Sequence, residues 1–510
     1  MVIIAIGAVV LVRNWPFTQA AVTKTLENRF ERQVVIHSFR QTFFPPGCIA
    51  EQVSFLHRKR KDLPPLITAS KLTVTGSYSG LLRQRIDKVD VIGLHVTVPP
   101  SEPGVTNPVM PLTDAKAGNS IGIDKVVAND AVLEFLPGKP GSEPFKLDIQ
   151  KLVLDHVAES KPSSYHAVLR NTVPPGLVNA MGKFGPWNST DPGATPMSGS
   201  YSFDNGNLAA FHGVSGVLSA KGSFNGAIRQ AETMGTVDVR GFHIDGSSHT
   251  AQLSAGFQAG VDAQNGNVSL ESVKSHFHRT TLESKGEVAT KPGEKGKTVE
   301  LELNVGAGRV EDLLLFFTSQ KQASMTGAVK IAAKVQVSPG PGFLQKVRLT
   351  GDFGVNGGRF TNPQVQTPLN DVSKSAQGEK KAQEQEDPRT ILSNLRGHVE
   401  ARDGIATLTG VAFEMPGGRA QLEGTFNLLS EAVDIRGLLE TQGKLADATS
   451  GFKALILKVA TPFMKKNRVT SVPFAIKGTA SNPQFGLDLD GKRKLGMPKA
   501  QGGTLKAEKG

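Results

Sequence analysis

The sequence has a single cysteine, Cys48, among its 510 residues. A disulfide needs two cysteines, so an internally disulfide-stapled fold is excluded. Cys48 follows Pro46 and Gly47, which is a weak likeness to a lipoprotein cleavage site, but residues 41–45 form no signal-peptide apolar region. We therefore interpret Cys48 as an ordinary residue at the start of a strand, without an evident partner for a cysteine-based site.

Aromatic residues make up only 6% of the chain, with three Tyr and two Trp. Sugar-binding platforms and thick globular cores both rely on such rings, so the composition disfavours both. Glycine and proline are frequent by contrast, with 55 and 30 residues. This composition favours many short strands joined by many turns.

Long apolar runs are absent except at residues 1–12, which read MVIIAIGAVVLV. Twelve helical residues span about 18 Å, whereas a hydrocarbon core needs about 30 Å. Arg13 ends the run, and Trp15 lies where an interfacial aromatic residue is expected. We interpret residues 1–14 as a membrane anchor, either truncated because the true start codon lies upstream or marginal as it stands. Val22, Leu26 and Phe30 recur every four residues and predict a short amphipathic helix after the anchor.

The net charge of +12 is concentrated in Arg58–Lys61 and in the last 20 residues, which hold six Lys or Arg and one Glu. These clusters are a solvated loop and tail, a site for anionic lipid headgroups, or a nucleic-acid contact. No recognition helix, RNA-binding aromatic motif or zinc finger accompanies the charge, so we expect no nucleic-acid partner.

From about residue 68 the dominant hydrophobic period is two, which predicts strands with one apolar face. The clearest stretches are 72–74, 92–98, 147–149, 301–305, 347–353, 422–426, 433–435 and 485–489. Hairpin turns are predicted at Asn-Gly pairs 205–206, 225–226, 265–266 and 356–357, and at Asp-Gly pairs 245–246, 403–404 and 490–491.

A pentad with a central glycine and a final apolar residue recurs along the chain. It occurs as AKGSF (220–224), SKGEV (284–288), MTGAV (325–329), LTGDF (349–353), LRGHV (395–399), LEGTF (422–426) and, more weakly, IKGTA (476–480). A glycine inside a strand marks a bulge, a bend or the close approach of another chain. The repetition predicts a sheet that grows by adding similar strands.

Two helices and two disordered stretches interrupt this pattern. Residues 309–317 predict a helix with two acids in its first turn, and residues 452–463 predict a helix that ends a sheet or lies on a lipid surface. Residues 99–120 and 364–390 are poor in apolar residues and predict disorder. The resulting division is 1–14 anchor, 15–170 N-terminal β region, 171–363 repetitive β region, 364–390 charged excursion, 391–490 C-terminal β domain and 491–510 basic tail.

Motifs that would indicate catalysis or metal binding are incomplete. Residues 293–298 resemble the end of a P-loop, but Lys291 replaces the required glycine and a strand pattern follows. His276 and His278 predict a same-face histidine pair without a third metal ligand. Asp488 and Asp490 are a carboxylate pair of the kind used in glycoside hydrolysis, placed at the end of a terminal strand. We expect no catalytic residue, metal ligand or cofactor, and no enzyme activity.

Three segments resemble the AsmA-like family of bacterial envelope proteins, which includes AsmA and TamB. The first is the apolar run with Trp15-Pro16, LENRFERQVVIHSF (26–39) and FFPPG (43–47). The second is residues 403–439, and the third, the most specific, is VPFAIKGTASNPQF (472–485). The resemblance implies an inner-membrane anchor, a periplasmic body and a mainly β fold: an elongated, curved, groove-like and repetitive antiparallel sheet with a few short helices. It also implies that the apolar face of this sheet shields lipid between the two membranes.

Three functional hypotheses follow. The first is an envelope protein that binds or guides phospholipid or another envelope lipid and supports outer-membrane biogenesis. Its expected lipid-groove residues are Leu422, Phe426, Val433, Ile435, Phe474, Ile476, Phe485 and Leu487. The second is a non-enzymatic scaffold for outer-membrane assembly that acts through envelope protein partners. The third is a hydrolase whose active site the sequence does not reveal.

Overall fold

The computed structural model describes residues 15–57, 62–100, 122–138, 143–158, 161–363, 366, 370, 392–441 and 470–488. The chain divides into two compact units. Unit 1 contains residues 1–242, 252–275 and 285–299, and unit 2 contains residues 243–251, 276–284 and 300–510. The six-segment division from the sequence remains a prediction.

Among the described residues the fold is mainly β, with 24 strands assigned to one sheet and few short helices, which confirms the mainly β part of the predicted fold. The first twelve strands are β1 Val34–Thr42, β2 Gly47–Phe55, β3 Ile67–Thr75, β4 Arg85–Ile92, β5 His95–Val98, β6 Gly122–Phe135, β7 Phe145–Val157, β8 Ser163–Thr172, β9 Pro175–Phe184, β10 Pro196–Asn207, β11 Val214–Ala227 and β12 Gln230–Ile244. The others are β13 Ala251–Asp262, β14 Asn267–Phe277, β15 Thr280–Ala289, β16 Thr298–Arg309, β17 Met325–Val337, β18 Val347–Phe360, β19 Ser393–Arg402, β20 Ile405–Met415, β21 Gly418–Asn427, β22 Ala432–Thr441, β23 Thr470–Thr479 and β24 Pro483–Leu487.

The helices are α1 Gln19–Phe30, α2 Tyr78–Leu82, α3 Val310–Leu314 and α4 Phe343–Lys346, with 3-10 turns at Pro192–Ala194, Leu208–Phe211 and Leu315–Phe317. None of the helices in the described part of the chain is long and apolar enough to cross a membrane. The predicted anchor 1–14, the basic cluster 58–61, the helix 452–463 and the basic tail lie outside the described residues, as do most of 99–120 and 364–390.

Strands pair mostly with their neighbours in sequence, and the pairs are antiparallel. In unit 1 this holds from β6 to β11. In unit 2 it holds from β17 to β24. The exception lies near the start of unit 1, where β4 and β5 both pair in parallel with β6.

The predicted amphipathic helix is confirmed as α1. The Thr18 side chain caps it by accepting a hydrogen bond from the Ala21 backbone N–H at 3.3 Å. Val22 packs against one apolar cluster of unit 1, and Leu26 and Phe30 pack against a second. The period of four residues therefore predicted the buried side of α1.

One predicted strand is wrong in its extent. Residues 92–98 were expected to form one strand, but β4 ends at Ile92 and β5 begins at His95. Gly93 lies between them with φ of +63°, a left-handed conformation that ends the extended backbone. The alternating pattern continues across this break, so the pattern alone does not reveal it.

Two strand-interior glycines make room for aromatic rings from a neighbouring strand. Gly437 lies opposite Phe474, and a Cβ atom at Gly437 would stand 2.4 Å from Cζ of that ring. Gly397 lies opposite Phe353, where the corresponding distance is 3.0 Å. The close approach that the pentads predict is thus observed at Gly397, and Gly327 in another pentad sits at a bulge between β17 and β18.

Candidate apolar binding face

Six of the expected groove residues lie on one side of β21, β22 and β23 in unit 2. Phe426 pairs with Val433, Ile435 pairs with Ile476, and Leu422 pairs with Gly437. Residues directly opposite in an antiparallel pair share a face. The backbone register also places Phe485 opposite Ile476 and Leu487 opposite Phe474. The side chains of the six other expected residues are all half-buried, and the register places these six together on one face.

The other side of these strands is polar. Its exposed residues include Gln421, Glu423, Asp434, Arg436 and Lys477, which alternate with the apolar positions. A strand with this alternation buries one face and solvates the other. The alternation of apolar and polar residues in the sequence therefore determines which side of these strands is apolar.

The apolar side continues across earlier strands of unit 2 in two rows. The buried row consists of Val329, Val355, Leu395, Phe413, Ala420 and Leu439. The half-open row consists of Ile331, Phe353, Leu422 and Phe474, which are partly buried against the same cluster. Register pairs Val329 with Val355 and Ile331 with Phe353, so the rows follow adjacent positions on the same strands. These two rows and the half-buried residues Phe426, Val433, Ile435 and Ile476 together form what we call the apolar face.

The helix predicted at 309–317 is confirmed in α3 and the 3-10 turn that follows it. The two acids in its first turn also accept hydrogen bonds from residues outside the helix. Glu311 accepts hydrogen bonds from Nε of Arg309 at 2.9 Å and from the Gly327 backbone N–H at 3.0 Å. Asp312 accepts bonds from the Arg279 backbone N–H and the Thr280 hydroxyl, both at 3.0 Å. These acids tie α3 to the start of β15 and to the β17 bulge.

The two carboxylates are buried yet remain acidic. Desolvation pushes the pKa of Asp312 upward, but the hydrogen bonds from Arg279 and Thr280 outweigh it, so its pKa lies below the ordinary value. The pKa of Glu311 is lowered for the same kind of reason, with Gly327 and Arg309 as donors. Both groups are therefore held as charged acceptors.

A basic depression lies beside this network on the polar side of unit 2. Its volume is about 470 Å³, and its polar lining consists of Arg279, Arg309, Lys330, Asn356, Asn394 and Arg396. Register places Gly354 between Lys330 and Arg396, and the missing side chain leaves space between the two cations. Such an arrangement can attract an anion. Sequence reasoning missed it, because the cations come from separate segments without a common spacing.

The lysine of the incomplete P-loop-like motif has a structural role. Lys297, from the P-loop-like segment, donates through Nζ to the Asn265 carbonyl at 2.8 Å and to Asn267 Oδ1 at 2.7 Å. Burial lowers its pKa, against an opposing effect of Asp262. Lys297 therefore links the segment before β16 to the turn between β13 and β14, and β16 begins directly after it, as the strand pattern predicted.

The expected same-face histidine pair is wrong. His276 lies near the end of β14, but His278 follows that strand in a turn with φ of +48°, so the alternation of a strand does not apply to it. Among the described residues, no group of three or more His, Cys, Asp or Glu side chains is arranged to hold a metal ion. Asp488 lies 4.0 Å from Arg436, and Asp490 is outside the described residues.

Cys48 is the second residue of β2 and is fully buried, in agreement with its interpretation as a residue at the start of a strand. Burial raises the pKa of its thiol to about 12. A thiol in this environment is a poor nucleophile.

Comparison with known proteins adds no family assignment. No protein-family model, no curated protein and no solved structure matches this chain.

Proposed function

We propose that this chain is an anchored protein of the bacterial envelope that binds or guides lipid along the apolar face of unit 2. The observation that carries the proposal is the continuity of apolar side chains across consecutive strands, with one row half-open. Large apolar surfaces that stay partly open on a folded protein usually serve a ligand or partner. The elongated, curved groove and the placement of residues 1–14 in the inner membrane, with a periplasmic body, belong to the same proposal.

The dimensions of the apolar face suit an acyl chain. Neighbouring strands lie about 4.8 Å apart, so the seven strands from β17 to β23 span roughly 29 Å in the direction of hydrogen bonding. An acyl chain that lies across them is removed from water at a gain of about 0.8 kcal/mol for each buried CH₂ group. No covalent chemistry is needed for this activity, and we expect none.

Native mass spectrometry with lipid extraction tests the proposal on the full chain. Wild-type protein should carry phospholipid or another envelope lipid. Phe426→Asp and Ile435→Asp should remove it, because each places a charge on the apolar face where an acyl chain would have to cover it. Thr425→Asp is the matched control, since the neighbouring residue lies on the opposite side of β21 and should leave lipid binding unchanged.

Thermal unfolding of each variant separates loss of lipid from loss of fold. Phe426 and Ile435 are only half-buried, so the variants are expected to remain folded. Lipid that persists in folded Phe426→Asp and Ile435→Asp proteins would refute binding at this face.

The alternative is a scaffold for outer-membrane assembly that acts through protein contacts. Among the described strands, β1 pairs with β2 alone and β24 pairs with β23 alone. An edge of this kind can take up an extended segment of a partner by backbone hydrogen bonding. Copurification of a stoichiometric polypeptide without lipid would favour the scaffold over the lipid-binding proposal.

A further inference from the structure

The two most exposed large apolar side chains of unit 1 are Phe44 and Leu82. Their exposed fractions are 87% and 89%. Phe44 lies in the turn between β1 and β2, and Leu82 is the last residue of α2. Leaving both side chains in water forgoes the free energy of burying them, so their placement calls for an apolar environment outside the chain.

An aromatic cluster holds this part of unit 1 in place. The Trp15 ring lies 4.9 Å from the ring of Phe43 and 6.4 Å from that of Tyr78, measured between ring centroids. The Tyr78 hydroxyl donates to the Phe43 carbonyl at 2.9 Å, and the Phe44 and Tyr78 ring centroids are 6.0 Å apart. Trp15, Phe43 and Tyr78 therefore form a packed aromatic platform, and Phe44 projects from it.

The sequence before the platform indicates what covers it. Trp15 is 4% exposed and follows the uncharged run 1–12 by only three residues. A chain that leaves a bilayer at Arg13 would bring the platform to the level of the lipid headgroups. Aromatic side chains with a polar tip, such as Tyr78, are favoured at that level. The exposed Arg83 beside Leu82 adds attraction to anionic headgroups.

We propose that Phe43, Phe44, Tyr78 and Leu82 form a membrane-docking patch, which inserts into the headgroup and acyl boundary of a lipid bilayer. The proposal rests on the proposed anchor, since the bilayer in question is the one that residues 1–12 enter. It goes further by giving unit 1 a second attachment, from the β1–β2 turn and α2. Two attachments fix the orientation of unit 1 against the membrane, whereas a single attachment leaves it free to rotate.

Spin labelling at single introduced cysteines tests the patch in the full chain. The labelled variants are Phe44→Cys and Leu82→Cys, with Met181→Cys in β9 of unit 1 as the control, because Met181 is also exposed, at 55%. The native Cys48 is fully buried and does not compete for the label. The protein is reconstituted in vesicles of phosphatidylcholine and phosphatidylglycerol, and collisions of each label with dissolved oxygen and with a water-soluble nickel chelate are measured.

Docking predicts nickel accessibility at positions 44 and 82 roughly threefold or more below that at position 181, with higher oxygen accessibility, since the label sits below the headgroup surface. Labels at 44 and 82 that are as accessible to nickel as the label at 181, on protein that floats with the vesicles, would overturn docking and leave the anchor intact. A chain that does not float with vesicles at all would overturn both docking and the anchor. Lipid binding at the apolar face is measured separately and does not depend on this result.

Discussion

Asp312 is a buried carboxylate that is stabilised by the hydrogen-bond donors around it. It is 3% exposed, and its oxygens accept bonds from the backbone and the guanidinium of Arg279 and from the Thr280 hydroxyl. Removing one partner of such a group leaves the other polar atoms buried without an acceptor, which costs more than the bond itself contributes. The side chain therefore joins α3 to the turn before β15.

Asp312→Asn should lower the free energy of unfolding by about 1–3 kcal/mol, because it weakens the hydrogen bonds that the buried Thr280 hydroxyl and the Arg279 backbone N–H donate to the carboxylate. Denaturant unfolding at neutral pH measures the change. Glu302→Gln is the control, since Glu302 forms an exposed pair with Lys334 at 3.6 Å, and such pairs contribute only about 0–1 kcal/mol. Equal effects of the two substitutions would contradict the role given to Asp312.

The same carboxylate predicts a dependence on pH. Its folded-state pKa lies below the ordinary value, so the ionised group stabilises the folded state above about pH 4, the pKa range of an unfolded Asp. This contribution is lost as the pH falls through the folded-state pKa. The difference in unfolding free energy between wild type and Asp312→Asn should therefore shrink at acidic pH. A difference that grows on acidification would reverse the sign of the proposed linkage.

Gly437→Ala should destabilise unit 2, because the added Cβ would meet the Phe474 ring and would stand 2.6 Å from the Gln421 carbonyl oxygen. We expect a loss of about 1–3 kcal/mol, typical of overpacking. Gly486→Ala in β24 is the matched control, since nothing lies within 4 Å of its added Cβ. Comparable unfolding midpoints for the two variants would show that Phe474 moves aside without cost.

At the scale of elements, the Gly-containing pairs show how far local sequence predicts a turn. The pairs at 245–246, 265–266 and 403–404 each lie directly between strands or just after a strand end, as predicted. The pairs at 205–206, 225–226 and 356–357 lie inside β10, β11 and β18, so the prediction of turns there is wrong. The pair at 490–491 is outside the described residues.

The result is mixed because a tight turn and a bulge both require a residue with a positive φ. Asp403 and Gly404 have φ of +54° and +78°, as a two-residue hairpin turn requires. Gly357 has φ of +64° at the bulge opposite Gly327, where a left-handed residue is also required. The pair therefore predicts a positive φ, and only the pairing of the flanking residues decides between turn and bulge.

Gly357→Ala isolates the backbone cost of this bulge. Nothing lies within 4 Å of a Cβ added at Gly357, so the expected loss of about 1 kcal/mol arises from the left-handed conformation alone. Gly306→Ala is the control, because its Cβ is equally unobstructed and its φ is not left-handed. Equal unfolding free energies for the two variants would show that the bulge rearranges instead of straining.

The candidate site was predictable to the extent that it depends on period and register. Alternation places Leu422 and Phe426 on one side of β21, and antiparallel pairing with β22 and β23 brings Ile435 and Ile476 beside them. The basic depression was not predictable, because Lys330 and Arg396 meet only through the register of β18 with both neighbours. The local sequence around either residue does not indicate that the two lie close together.

At the scale of the whole molecule, a sheet built from consecutive strands has a stability that is close to a sum over neighbouring pairs. A strand with one partner should then open more often than a strand with two. β24 has β23 as its partner, whereas β22 pairs with both β21 and β23.

Hydrogen exchange measured by mass spectrometry should therefore show faster amide exchange in Pro483–Leu487 than in Ala432–Thr441 of the same unit. The comparison uses one protein under one condition, so differences in overall stability cancel. Equal protection of the two strands would indicate that β24 is covered by another part of the chain or by a second molecule.

The antiparallel pairing of consecutive strands from β6 to β11 and from β17 to β24 also has a consequence for folding during synthesis. As the chain leaves the ribosome N-terminus first, each of these hairpins can close as soon as its second strand has emerged. The parallel pairing of β4 with β6 is the early exception, since β4 can pair with β3 at once but with β6 only after the chain beyond β5 has emerged.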